Sequence, residues 1–146
     1  YTTLFRSINP NKMMIERGKV DDLAEKVITR LPRYIGTIFE DICQEFIWNN
    51  YDYPKVGRWW YNEDEIDVTA IDESNNKILF GECKWSEEVD PAPIYYRLNE
   101  KKKKVRWKNK DRKEEYIIFS KSFKNEFSKD DLICINLDYM SKTLKN

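Results

Sequence analysis

Two short, largely apolar runs joined by a polar turn, "EIDVTAIDESNNKILFGECKW" (residues 65–85), commit the middle of this chain to β-structure. "EIDVTAID" and "KILFGECKW" each read as a strand, and "ESNN" between them has the composition of a turn. The unusual feature is charge inside the apolar runs: Asp67 in one strand, Glu82 and Lys84 in the other. Charge in such places is expensive unless it is paired or holds a metal. Strand side chains alternate between faces, which puts Glu65, Asp67, Thr69 and Ile71 on one side and Ile66, Val68 and Ala70 on the other. Glu82 and Lys84 share a face, roughly 7 Å apart along their strand. If the two strands form a hairpin, Asp67 can face Glu82.

The surrounding pattern predicts a mixed α/β domain, α+β in character with a mixed sheet. Residues 1–30 read as a lead-in or linker ending in a short helix, "VDDLAEKVITRL", which Pro32 interrupts, and residues 31–146 as one domain. The clearest helix is "YIGTIFEDICQEFIWNN", with Ile35, Ile38, Phe39, Ile42, Cys43, Phe46 and Ile47 as its apolar stripe and Glu40 at the border. "YPKVGRWWYNEDE" reads as a strand ahead of the hairpin. After Pro91 and Pro93 come a helix, "IYYRLNEKKKKVRW", then the strands "EYIIFSKS" and "DLICINL". Because the chain begins at Tyr1 and not Met, it is read as a fragment.

Composition excludes several chemistries. The chain has no histidine, so Ser-His-Asp and Cys-His catalysis and His-ligated metals are ruled out within it. Cys43, Cys83 and Cys134 form no CxxC pair and read as reduced core residues of a cytoplasmic protein. Four glycines leave no phosphate-binding GxxxxGKS/T loop, and no other cofactor-binding motif appears. No apolar run approaches the roughly 18 residues of a membrane helix, and no signal peptide is visible.

Two readings fit the embedded charges. One is a cross-strand ion pair on a wet sheet face, worth about 0.2–1 kcal/mol. In the other, two carboxylates that would repel each other share a hard cation, as Mg²⁺ prefers, with water and phosphate completing its sphere. The tripeptide Glu/Asp-x-Lys decides little, since it begins at Glu82, Glu100 and Asp111 alike. What favours the Glu82 match is its apolar strand, the preceding strand that carries Asp67, and a helix bearing Glu40 before both.

Together, "IGTIFEDIC", "GRWW", "EIDVTAID" and "FGECKW" resemble the PD-(D/E)XK nuclease superfamily. More narrowly they resemble the nuclease-like C-terminal domain of archaeal-type AAA ATPases, which "FRSINPNKMMIERGKVDDL" and "EYIIFSKSF" also fit. The resemblance implies a restriction-endonuclease-like αβββαβ core. It also implies hydrolysis of DNA phosphodiester bonds with Mg²⁺ or Mn²⁺, leaving a 5′-phosphate and a 3′-hydroxyl, and an ATPase domain elsewhere in the full-length chain. Glu40, Asp67, Glu82 and Lys84 match the superfamily's catalytic positions. Asp67, Glu82 and the Cys83 backbone carbonyl are the implied metal ligands, Lys84 the residue that orients or helps deprotonate water, and Glu40 the one that positions a second ion or a water. Ile66 stands where many members have proline, and Arg97 or Lys101 is the candidate for a contribution from the following helix. Many superfamily members bind without cutting, so the alternative is an inactive module that binds nucleic acid or protein for the ATPase.

The chain has 26 bases and 26 acids, unevenly spread. From Asn62 to Glu73 there are six carboxylates and no base; from Lys101 to Lys113 there are nine bases and one acid. In the nuclease reading the acidic pocket needs a basic rim, and Lys101, Lys102, Lys103, Lys104, Arg106 and Lys108 are the candidates for backbone contacts to DNA. Superfamily nucleases often pair, so a homodimer is among the expected states.

Overall fold

A computed structural model describes residues 20–143, so the lead-in before Val20 lies outside the described residues. The chain divides into two compact units, residues 1–38 and 39–146. Helix α1 runs over Val20–Asn50 with Pro32 inside it. The expected interruption at Pro32 does not occur: losing one N–H donor, at a cost of about 3 kcal/mol or more, has not broken a helix of 31 residues.

In the second unit, β1 (Lys55–Tyr61), β2 (Asp64–Asp72) and β3 (Lys77–Lys84) form an antiparallel meander. Helix α2 (Pro91–Lys101) then carries the chain across to β4 (Lys113–Ser120), which pairs parallel to β3. The fifth strand, β5 (Leu132–Asn136), pairs parallel to β4, and a short helix, α3 (Leu137–Thr143), follows. The sheet order is β1-β2-β3-β4-β5, and the element order α-βββ-α-ββ-α is consistent with a restriction-endonuclease-like core.

Local chemistry explains the joints. Two asparagines with positive φ, Asn62 and Asn76, shape the turns on either side of β2, a backbone region that asparagine tolerates better than most residues. Asp72 closes the second turn by accepting from the amides of Ser74 at 2.9 Å and Asn75 at 3.1 Å. Helix α2 starts at the N-cap Asp90, which accepts from Ala92 N at 3.0 Å, and at Pro91, whose missing N–H costs nothing in a first turn. It ends earlier than its sequence suggests, giving way to a 3₁₀ turn at Lys102–Lys104. The buried Arg112 guanidinium donates to the carbonyls of Lys102, Val105 and Trp107, drawing that backbone out of helical pairing.

The two faces of the sheet bury separate cores. One packs Val68, Ala70, Leu79, Ile117, Phe119 and Ile135 against Phe39, Cys43, Phe46 and Ile47 of α1. The other packs Ile66, Ile78, Phe80, Tyr116 and Ile118 against Ile94 and Leu98 of α2. Ile38 and Ile42, expected in the apolar stripe, are exposed. Cys43 and Cys83 are buried as expected, but Cys134 is exposed.

Candidate metal centre

The site is built on an irregularity in β2. Gly57 pairs with Thr69 and Trp59 with Ile66, so Arg58 alone stands opposite both Asp67 and Val68. This one-residue bulge re-aims the side chains around it. It also overturns the strict alternation expected for β2. Ile66 enters the core beneath α2 while Val68 enters the core beneath α1, although two residues apart on a regular strand share a face.

On its other side β2 parts from β3. Their ladder ends at Val68↔Gly81, and the next rung would have set Asp67 against Glu82. Instead Asp67 turns its carboxylate into the opening, where Oδ2 accepts from the Cys83 amide at 2.8 Å. A strand residue presents its N–H and C=O to the same neighbour, so the Cys83 carbonyl borders this opening too. Gly81 allows the close approach at the last rung: a Cβ there would lie 2.9 Å from Ile117 Cγ2 and 3.0 Å from Val68 Cβ.

Glu82 and Lys84 extend from β3 on the α2 side. Glu82 is 4% exposed, and its two oxygens accept from Lys84 Nζ at 2.7 Å and Lys101 Nζ at 3.2 Å. From α1, Glu40 pairs with Arg58 at 3.0 Å, and the same Arg58 nitrogen reaches Asp41 at 2.8 Å. One turn further along α1, Gln44 Nε2 donates to the Asp67 carbonyl at 3.4 Å.

The electrostatics follow from this crowding. Burial and then the Glu82 charge push the Asp67 carboxyl up to about 6, against the pull of the Cys83 hydrogen bond and Lys84. Glu40 is raised as well, mainly by burial, with Glu65 and Asp41 adding to the effect and Arg58 opposing it. Burial draws the Lys84 ammonium down, but its hydrogen bond to Glu82 and the charges of Glu82 and Asp67 outweigh that, so its pKa lies above the ordinary value. Lys84 is therefore a cation as it stands.

The residues fit a hard divalent ion. Among the described residues the Asp67 carboxylate accepts one hydrogen bond, from Cys83 N, and burial beside Glu82 disfavours its charge; the Cys83 carbonyl and Glu82 would supply further oxygens, the ligand chemistry of Mg²⁺. Among the described residues no group of three His, Cys, Asp or Glu side chains is placed to hold an ion by side chains alone. Two carboxylates, a carbonyl and solvent would make up such a sphere.

The basic run is distributed differently from a free rim. Lys101 bonds Glu82, Lys102 bonds Glu114, Lys103 bonds Glu100 and Lys104 bonds Asp64. Arg106 and Lys108 are exposed, with Lys108 Nζ 5.3 Å from the centre of the Trp107 ring. Sequence patterning placed Lys101 among the rim residues and also as a candidate from the second helix; its contact with Glu82 puts it at the site. Gln44 carries no signal in the sequence, and Arg58, which by sequence reads as a phosphate contact or a surface arginine, is instead paired with Glu40 and Asp41; both contacts depend on which residues the bulge brings opposite α1.

Comparison with known proteins gives a family. The chain belongs to DUF234, archaeal and bacterial proteins of unknown function, with the match running over residues 4–117. It is similar to an uncharacterized protein of Methanocaldococcus jannaschii, 34% identical over 110 residues, which cover 69% of this chain and 25% of that protein. The chain thus matches about a quarter of the length of that relative. No solved structure matches it.

Proposed function

We propose that this member of DUF234 is a metal-dependent nuclease domain that hydrolyses DNA phosphodiester bonds, part of a longer protein that also carries an ATPase domain. The observation that carries this reading is the opening between β2 and β3. A bulged, half-buried Asp67 faces it, the Cys83 carbonyl borders it, and Glu82 flanks it with two lysines at hand. Asp67, Glu82 and the Cys83 carbonyl would hold Mg²⁺ or Mn²⁺. When bound, the ion supplies a Lewis acid at the phosphate and a water of lowered pKa. Lys84, kept charged by its acidic neighbours, offsets negative charge developing on the phosphate, a role that suits its raised pKa better than that of a base. Lys101 adds a second cation on the same side, and Glu40, oriented by Arg58, would position water. Arg106 and Lys108, exposed in the basic run, would contact a DNA backbone.

A second reading has an observation of its own. Glu82 already has both oxygens on lysines, a satisfied arrangement that needs no ion, which favours a nuclease fold that binds nucleic acid or a protein without cutting.

Cleavage of labelled duplex, single-stranded, flap and four-way DNA with Mg²⁺ or Mn²⁺ separates the two. Wild type is run beside separately purified Asp67→Ala and Lys84→Ala. Metal-dependent cutting lost in both variants supports the nuclease. Absence of both cutting and calorimetric Mn²⁺ binding in the wild type leaves the binding module.

A further inference from the structure

We infer that Gln44 is a positioning residue for Asp67, an inference that rests on the metal-site reading and extends it to a residue outside the ligand set. The bulge creates a problem that the sheet does not solve. Asp67 has no rung of its own on β1, where Arg58 faces two residues, and the β3 ladder has already ended at Val68. Asp67 is thus without a register partner on either neighbouring strand, in a half-buried place where backbone polar groups need partners. Gln44 Nε2 meets the Asp67 carbonyl at 3.4 Å.

The bond comes from a well-anchored element. Cys43 and Ile47, beside Gln44 on α1, are fully buried in the core beneath the sheet. Asp67 is thus held at both ends: its main chain by the amide of Gln44 and its carboxylate by the amide of Cys83. Removing the first hold lets the bulge relax and swings the carboxylate away from the opening. Glu40 lies one turn before Gln44 and is tied to Arg58, so the same helix fastens the bulge from two positions. Partners of this kind, outside the ligand set, typically change metal affinity about 10–100-fold when removed.

The test uses the whole chain with Gln44→Met, which keeps length and helix preference but has no donor, and Gln44→Glu. Two quantities are read: hydrogen exchange of the Cys83 amide in metal-free protein, and Mn²⁺ affinity by calorimetry. In Gln44→Met we expect faster exchange at Cys83, unchanged exchange at Ile118 on β4, and Mn²⁺ binding weakened about 10–100-fold. Gln44→Glu is the sharper variant, because its added charge alone would tighten Mn²⁺ binding, whereas a carboxylate facing the Asp67 carbonyl weakens it. Weaker binding in both variants sustains the positioning role. Wild-type exchange and affinity in Gln44→Met, or tighter binding in Gln44→Glu alone, overturns it. If the wild type binds no Mn²⁺, the metal reading falls, and the Cys83 amide by itself decides whether Gln44 positions Asp67.

Discussion

Asp67 and Asp72 lie on the same strand, five residues apart, in opposite surroundings. Asp72 ends β2 and accepts from the amides of Ser74 and Asn75 and from the Asn75 side chain. Those hydrogen bonds, the Asn75 side chain's first among them, hold its carboxyl below the usual carboxylate range. Among the described residues the Asp67 carboxylate accepts a single N–H, from Cys83, and lies near other acids, so burial and Glu82 push it up to about 6. One aspartate has its charge satisfied by its own turn; the other, half-buried beside other acids, has its charge in deficit. The first is what a stable hairpin needs, and the second is what a cation site needs.

The largest effect that can break this comparison is on activity. In the nuclease reading Asp67→Ala lowers Mn²⁺-dependent DNA cleavage by about 10²–10³-fold or more, while Asp72→Ala leaves cleavage per folded molecule intact and lowers the thermal midpoint. Equal losses of cleavage from the two variants would remove the distinction.

Stability should then move in opposite directions. As pH rises, the unfolded chain releases the Asp67 proton near 3.8 and the folded chain near 6, so the penalty on folding grows across that window and is complete above it. Asp67→Asn should accordingly stabilise metal-free protein at pH 8 by about 1–3 kcal/mol, with the gain fading towards pH 4. Asp72 has the reverse sign: its folded pKa is lowered, its stabilisation is present above its unfolded pKa, and Asp72→Asn should lower the midpoint at pH 8. Calorimetric scans at several pH values, without metal, read both.

Gly81→Ala tests the rung at which the strands part. Its methyl would press on Ile117 and Val68, an overpacking expected to cost about 1–3 kcal/mol by denaturant unfolding. The smallest effect belongs to the basic run. Arg106→Glu and Lys108→Glu should each reduce the slope of log DNA affinity against log salt by about one, whereas Lys103→Glu, whose lysine already serves Glu100, should change it less.

Much of this arrangement was legible in the residues. The hairpin could be read because "EIDVTAID" and "KILFGECKW" are short, strand-like apolar runs and "ESNN" between them is turn chemistry. The parallel strand "EYIIFSKS" stood out as an apolar run, and Asp67, Glu82 and Lys84 stood out as charges that such strands do not carry cheaply. The bulge was not legible: no glycine or proline marks Asp67 or Val68, and an extra residue shows only against the strand beside it. Nor was the pairing of four consecutive lysines, because their acids, Glu82, Glu114, Glu100 and Asp64, come from three strands and a helix.

Sequence by itself determined the class of elements, their order and which acids stood in costly positions, since periodicity and composition act over neighbouring residues. Only the tertiary structure decided that Asp67 leaves the ladder, that Gln44 and Arg58 meet the bulge, and that Lys101 reaches Glu82. Those outcomes depend on the register between strands and on how α1 and α2 pack over them. A shift of one residue in either would exchange the partners without changing any local preference.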